Sequence, residues 1–202
     1  MKKFIPLFAL IGIVSGFFFA CTSTPVSPNS SGYNTATQYK LDSATLDTFI
    51  AHHPVIGGIP VKNVIKLSSG LRYIIVADTA KDTVKNPRPT NFSNVTFSYS
   101  IRVPGAAGVS GTNGLVDSIP SVLNTVGYNV NPLGNTIQGL VQGLKLIHQK
   151  GHILLFIPSI LGFQNQSVNL SYLQGNQTTI LYTVPINSDL IYNVNLTSVL
   201  SY

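Results

Sequence analysis

The chain has no tryptophan, one cysteine and one methionine in 202 residues, and only 9% of those residues are charged. With Cys21 its sole cysteine, it has neither an internal disulfide framework nor a multi-cysteine zinc cluster. The six acidic residues are spread singly along the chain, which argues against the paired carboxylates of a glycoside hydrolase. No Gly-x-Ser-x-Gly elbow occurs, so the hydrolase nucleophile turn is absent too. The glycine-rich stretch at 104–114 has no phosphate-loop lysine and no helix start behind it, and so carries no nucleotide motif. The net charge of +6 comes from dispersed cations such as Lys40, Lys62, Arg72 and Lys145. A nucleic-acid partner calls for a clustered basic stripe instead.

What the sequence does have begins at its N-terminus. Lys2 and Lys3 precede a short apolar run, and "FFAC" closes it at Cys21. A basic start, an apolar core and small residues near a cleavage point describe a secretory signal peptide. The apolar core falls short of the roughly 20 residues of a membrane span. Residues 1–20 are therefore expected to be a lipoprotein signal peptide, with Cys21 as the lipidated residue. A stray buried thiol or an intermolecular bridge would be the alternatives, but the position at the boundary favours acylation. Cleavage would remove Lys2 and Lys3 and lower the charge from +6 to +4. The expected location is the bacterial envelope. By resemblance to known sorting signals, the lack of an acidic cluster after Cys21 favours the outer membrane, facing the periplasm. Asn-x-Ser/Thr sequons at Asn94, Asn165 and Asn195 read as surface polarity, and triplets at Asp42, Asp78 and Asp82 resemble O-glycosylation sites.

Residues 21–38 are rich in Ser, Thr, Pro and Asn and read as a flexible tether reaching roughly 60 Å when extended. Residues 39–66 read as a short helical segment. Asp42 or Ser43 is the expected cap, Leu46, Phe49 and Ile50 share a face, and Pro54 ends it. The adjacent His52 and His53 point in different directions on a helix and read as an ordinary helix end.

Residues 67–202 carry both periodicities. "NVTFSYSIRV" places Val95, Phe97, Tyr99, Ile101 and Val103 on one strand face, and "SDLIYNVNLTSVL" does the same for Leu190, Tyr192, Val194 and Leu196. "TIQGLVQGLKLIHQKG" has Ile137, Leu140, Val141, Leu144 and Ile147 at helical spacing. It predicts a helix running to a Gly151 cap, with Lys150 at the negative end of its dipole. "HILLFI" reads as a buried strand, and the polar stretch from Asn165 to Thr179 as a loop or added hairpin. Strands on either side of one amphipathic helix predict an α+β fold, an antiparallel sheet curled around a central helix. His148 and His152 lie four apart, but Gly151 separates them, so no metal site is expected.

The order of "SGLRYIIV", "NVTFSYS", "NGLVDSI", "PLGNTIQGLVQGLKLIHQKGHILLFIPSILGF" and "VPINSDLIYNVNLTSV" resembles the FKBP-type peptidyl-prolyl cis-trans isomerase family. The resemblance covers about two thirds of the chain, and the signal and short N-terminal helix look like those of Bacteroidota lipoprotein members. It implies an FKBP-like domain, no cofactor, no metal, and proline-containing polypeptide clients. It assigns catalytic positions to Tyr99, Asp117, Ile137, Phe163 and Tyr192, and substrate-binding positions to Val116, Thr136, Leu140 and Val184. Three positions depart from the family pattern. Val116 stands for a phenylalanine, Leu140 for the tryptophan of the pocket floor, and Phe163 for a tyrosine whose hydroxyl meets ligand.

Rotation about an X–Pro bond crosses a barrier of about 18–20 kcal/mol because amide resonance is lost. A dry pocket and a few fixed hydrogen bonds can lower it without a nucleophile. The resemblance therefore implies a folding helper for exported proteins, of full or reduced isomerase activity. The alternatives are an FKBP-fold module that binds polypeptide without catalysis, and a purely structural lipoprotein.

Overall fold

In the computed structural model, residues 33–78, 85–91, 93–104, 115–119, 128–129, 137–174 and 177–200 are described, the backbone alone at 115–119, 128–129, 170–174 and 177–182. The order is α1 (Thr35–His52), β1 (Val55–Ile56), β2 (Ile59–Pro60), β3 (Ile65–Lys66), β4 (Arg72–Ala77) and β5 (Asn94–Arg102). Then follow β6 (Leu115–Ile119), β7 (Tyr128–Asn129), α2 (Gln138–Leu144) and β8 (His152–Ile157). A 3-10 turn (Ser159–Leu161), β9 (Val168–Gln174), β10 (Gln177–Val184) and β11 (Leu190–Leu200) complete it. One antiparallel sheet runs β3-β4-β8-β11-β5-β6, with β7 beside β5. β9 and β10 form a separate hairpin.

The alternation in the central strands explains the layering. In β8, Ile153, Leu155 and Ile157 join the core under α2, whereas Leu154 and Phe156 join the one under α1. All five are fully buried, which is why "HILLFI" reads as an unbroken apolar run. Burying each such side chain contributes about 1.5–3 kcal/mol. The α2 core holds Val95, Phe97 and Ile101 of β5, Val103 just beyond it, and Leu190, Tyr192, Val194 and Leu196 of β11, the faces expected from period two.

α2 sits unusually close to the sheet. A Cβ at Gly139 would collide with the Ile157 side chain, and one at Gly143 with Leu155. Glycines four apart on the helix thus meet residues two apart on the strand. The helix is also shorter than its apolar spacing predicts. It ends at Leu144 in a tighter turn, where Leu146 N–H donates to Gly143 O at 3.0 Å, and from His148 on the amides are taken elsewhere. His148 N–H donates to Asp78 Oδ1 at 2.9 Å, Gln149 N–H to Pro87 O, and Lys150 N–H to Leu196 O. Gly151 is therefore not its cap, and Lys150 lies outside the helix with φ +68°.

α1 begins earlier than expected. Asn34, not Asp42 or Ser43, is the N-cap, and its side chain accepts from Thr37 N–H at 3.0 Å. Thr35 to Gln38, read as tether, belong to the helix. Leu46 and Phe49 are buried with Ile56, Ile59 and Ile191, and Ile50 packs on that cluster. His52 and His53 each hydrogen-bond the carbonyl four residues back through Nδ1, an ordinary helix end. Arg72, almost fully buried, donates to Ser43 O and Oγ and pairs with Asp47 at 2.7 Å. The Asp42 triplet is thus built into the fold rather than displayed. No described helix is long and apolar enough to cross a membrane.

Candidate functional site

Tyr99 and Tyr192 meet because of strand register. β5 and β11 pair Tyr192 with Ile101 and Val194 with Tyr99, so the tyrosines are diagonal neighbours. Diagonal positions are within reach of aromatic rings, and the centroids lie 5.5 Å apart at 39°. Phe97 extends the group, 5.8 Å from Tyr99. Tilted rings at this spacing add to the stabilisation that burial supplies.

The other expected positions divide into floor and rim. Leu140, Val184 and Tyr192 are buried in the α2 core, while Tyr99, Ile137 and Phe163 are half-buried and pack against it. Ile137 is the N-cap of α2, and its carbonyl accepts from Leu140 and Val141 at 3.0 and 3.1 Å. Leu140 is only 3% exposed, so a tryptophan there would have to displace packed neighbours. Val184 ends β10, and its carbonyl accepts from Ser167 Oγ at 3.0 Å.

β6 supplies a further device. Arg102 pairs with Leu115 and Ile101 with Asp117, so the ladder skips Val116, a β-bulge. Bulges re-aim a strand locally and are common beside active sites. The side chains of Val116 and Asp117 lie outside the described residues, as do Thr136 and Cys21.

The segment that presents Phe163 is held by two buried carboxyl groups whose role sequence reasoning missed. β8 stops before Pro158, which cannot donate to a ladder, and the 3-10 turn follows. Asp42 of α1 accepts from Ser159 Oγ at 2.9 and 3.0 Å and from Ile160 N–H at 3.3 Å. Asp189 accepts from Ser159 N–H at 3.0 Å. Both carboxyls are buried. Burial, then the charge of Asp42, pushes the Asp189 carboxyl up to about 8, against the Ser159 hydrogen bond and Arg72. Two carboxyls in one buried site cannot easily both ionise. No local motif announces this pair, since Asp42 and Ser159 are 117 residues apart. Leu161, half-buried against the same core, is another rim residue without a sequence signal.

Chemically the site is an apolar and aromatic surface. The histidines serve elsewhere. His148 contacts Asp78 through Nδ1 at 3.0 Å, and His152 Nε2 contacts Asn193 Oδ1 at 2.5 Å. Among the described residues no cluster could hold a metal. A separate groove of about 320 Å³ lies along α1, lined by Thr45, Thr48, Phe49, His52, His53 and Pro104. It contains none of the assigned positions.

An antiparallel sheet wrapped against one short helix, with aromatic residues where strands and helix meet, defines an FKBP-like fold. FkpA from Escherichia coli has the same fold, at 20% identity and a TM-score of 0.54 over 81% of this chain. The match takes in 62% of the FkpA chain, less than two thirds of its length. A peptidyl-prolyl cis-trans isomerase from Pseudomonas syringae is similar over 84% of this chain and 98% of its own, at 17% identity and a TM-score of 0.50. The N-terminal domain of FKBP42 from Arabidopsis thaliana matches over 69% and 94%, at 11% identity and a TM-score of 0.51. No protein-family model matches the sequence, and neither does any curated protein.

Proposed function

We propose that this protein is a peptidyl-prolyl cis-trans isomerase of reduced activity that assists the folding of exported proteins in the bacterial envelope. The observation that carries the reading is the half-buried rim of Tyr99, Ile137 and Phe163 over a floor of Leu140, Val184 and Tyr192 in an FKBP-like fold. A proline ring and its preceding residue would lie on this apolar surface, where water is thin and a twisted amide loses less than a planar one. Asp117 and Thr136 would stand at its edge, with Val116 opening one wall. The protein is held at the outer membrane, facing the periplasm, by lipid on Cys21. The tether then lets the domain reach clients away from the bilayer.

A second reading has its own support. Leu140 removes an aromatic floor, and Phe163 has no hydroxyl to offer a ligand carbonyl. One such hydrogen bond is worth about 0.5–1.5 kcal/mol. On this reading the domain binds extended polypeptide without catalysis.

A protease-coupled assay on an X–Pro peptide separates the two. The expected result is a rate above the uncatalysed one that falls in Tyr99→Ala. A rate equal to the uncatalysed one removes the catalytic claim. Chemical-shift changes at Tyr99 and Ile137 on adding the peptide would then support binding alone. Incorporation of labelled fatty acid that is lost in Cys21→Ala tests the anchor separately.

A further inference from the structure

The sheet face opposite the tyrosine pair carries a cation with no acidic partner among the described residues. The chain has three arginines. Arg72 pairs with Asp47 and Arg88 with Asp78. Arg102, at the end of β5, makes no side-chain hydrogen bond or ion pair with any described residue, and its Nε is shut off from solvent without an acceptor. Desolvation lowers its pKa, because burial penalises the charged form. Charges removed from water are normally paired. The described acidic side chains are engaged elsewhere: Asp42 and Asp189 at the 3-10 turn, Asp47 with Arg72, and Asp78 with His148.

Other donors converge beside this cation. Arg102 pairs with Ile191 and Asn193 with Ser100, so Arg102 and Asn193 are diagonal neighbours on one face. The Asn193 Oδ1 is engaged by His152 Nε2 at 2.5 Å, which leaves its Nδ2 to donate the other way. Gly57, in the turn between β1 and β2, faces both residues. A Cβ on Gly57 would stand 3.5 Å from Asn193 Nδ2 and 3.7 and 3.8 Å from Arg102 Nη1 and Nη2. With φ +55° and no side chain, Gly57 leaves the side of the turn that these three nitrogens share without a methyl group. Two nitrogens of a guanidinium fork and an amide brought to one side of a turn can donate together to a single oxyanion.

We propose that Arg102, Asn193 and the Gly57 turn form a binding site for a small oxyanion, a carboxylate or phosphate group. His152 is its positioning residue, since it orients the Asn193 amide. The site lies on the sheet face away from the isomerase rim and does not depend on that reading.

Three arginines give three side-chain Nε–Hε signals, and Arg102→Gln identifies the one concerned. The chain is titrated with sodium acetate and with sodium phosphate, each against sodium chloride at constant ionic strength. The expected result is a saturable shift of the Arg102 signal with an oxyanion and not with chloride. Saturation by acetate alone assigns a carboxylate ligand, and by phosphate alone a phosphoryl group. Asn193→Ala should weaken binding about tenfold, the loss of one charge-assisted hydrogen bond. Gly57→Ala, which sets a methyl group against all three donors, should weaken it at least as much while the Arg72 and Arg88 signals stay in place. An Arg102 signal that moves no further with oxyanions than with chloride overturns the proposal. So does an Asn193→Ala variant, folded by circular dichroism, with an unchanged saturation curve.

Discussion

Replacing Asp189 with asparagine should make the protein more stable in alkali. Asp189 is 5% exposed, and its carboxyl is raised from 3.8 to about 8, first by burial and then by the charge of Asp42. Between those values the folded state holds a proton that the unfolded chain has released. Stability therefore falls as pH rises through this window and levels off above about 8. The slope from one such group is at most about 1.4 kcal/mol per pH unit, or about 3 kcal/mol between pH 5 and pH 7. Asparagine keeps the oxygen that accepts from Ser159 N–H and cannot ionise. Asp189→Asn should gain on the wild type across that interval by about this amount, while histidine contributions cancel in the difference. Urea denaturation of both proteins at several pH values between 5 and 9 measures it. Parallel stability curves would refute the claim that Asp189 is held protonated in the fold.

Three further outcomes follow from described contacts. Gly143→Ala drives a methyl into Leu155 and should cost about 1–3 kcal/mol by overpacking, read as a lowered denaturation midpoint. An unchanged midpoint would mean that α2 does not rest on β8 at this point. Asp42→Ala strands the Ser159 hydroxyl and Ile160 N–H and should cost about 2–4 kcal/mol. It should also shift the resonances of Phe163, and unmoved Phe163 signals would separate α1 from the rim. Phe163→Tyr adds a hydroxyl to a half-buried ring and should raise kcat/KM up to about tenfold. A loss of activity would place Phe163 away from the client.

The strands were legible because alternation records which face is buried. β5 and β11 could be read residue by residue, and β8 could be read as buried on both faces. The helices were harder, because their ends depend on partners far along the chain. The spacing of Leu144 and Ile147 continues a helical stripe, yet the amides of His148, Gln149 and Lys150 go to Asp78, Pro87 and Leu196. The start of α1 has no apolar period at all. It relies on an Asn34 cap and on tertiary packing from Leu46 onward, which covers the cost of nucleation. Tyr99, Ile137, Leu140, Phe163, Val184 and Tyr192 were assigned through the order of motifs, and in the structure all six lie in or against the α2 core. Asp189 and Arg102 escaped notice, and Asp42 was read as a helix cap, because a lone charge in a sequence does not reveal whether its neighbours are water, acid or backbone.

The bond from Asp42 to Ser159 also bears on the order in which the molecule can assemble. It closes a loop of 117 residues, an entropic cost of about 4 kcal/mol for a flexible chain. Such a contact is too costly to nucleate folding and belongs among the later ones, after the sheet has shortened the path between its ends. Until then α1 exposes Leu46 and Phe49, and the turn after Pro158 has no fixed shape. A chain folding from an extended form would therefore complete its rim late, with apolar surface open to aggregation in the interval.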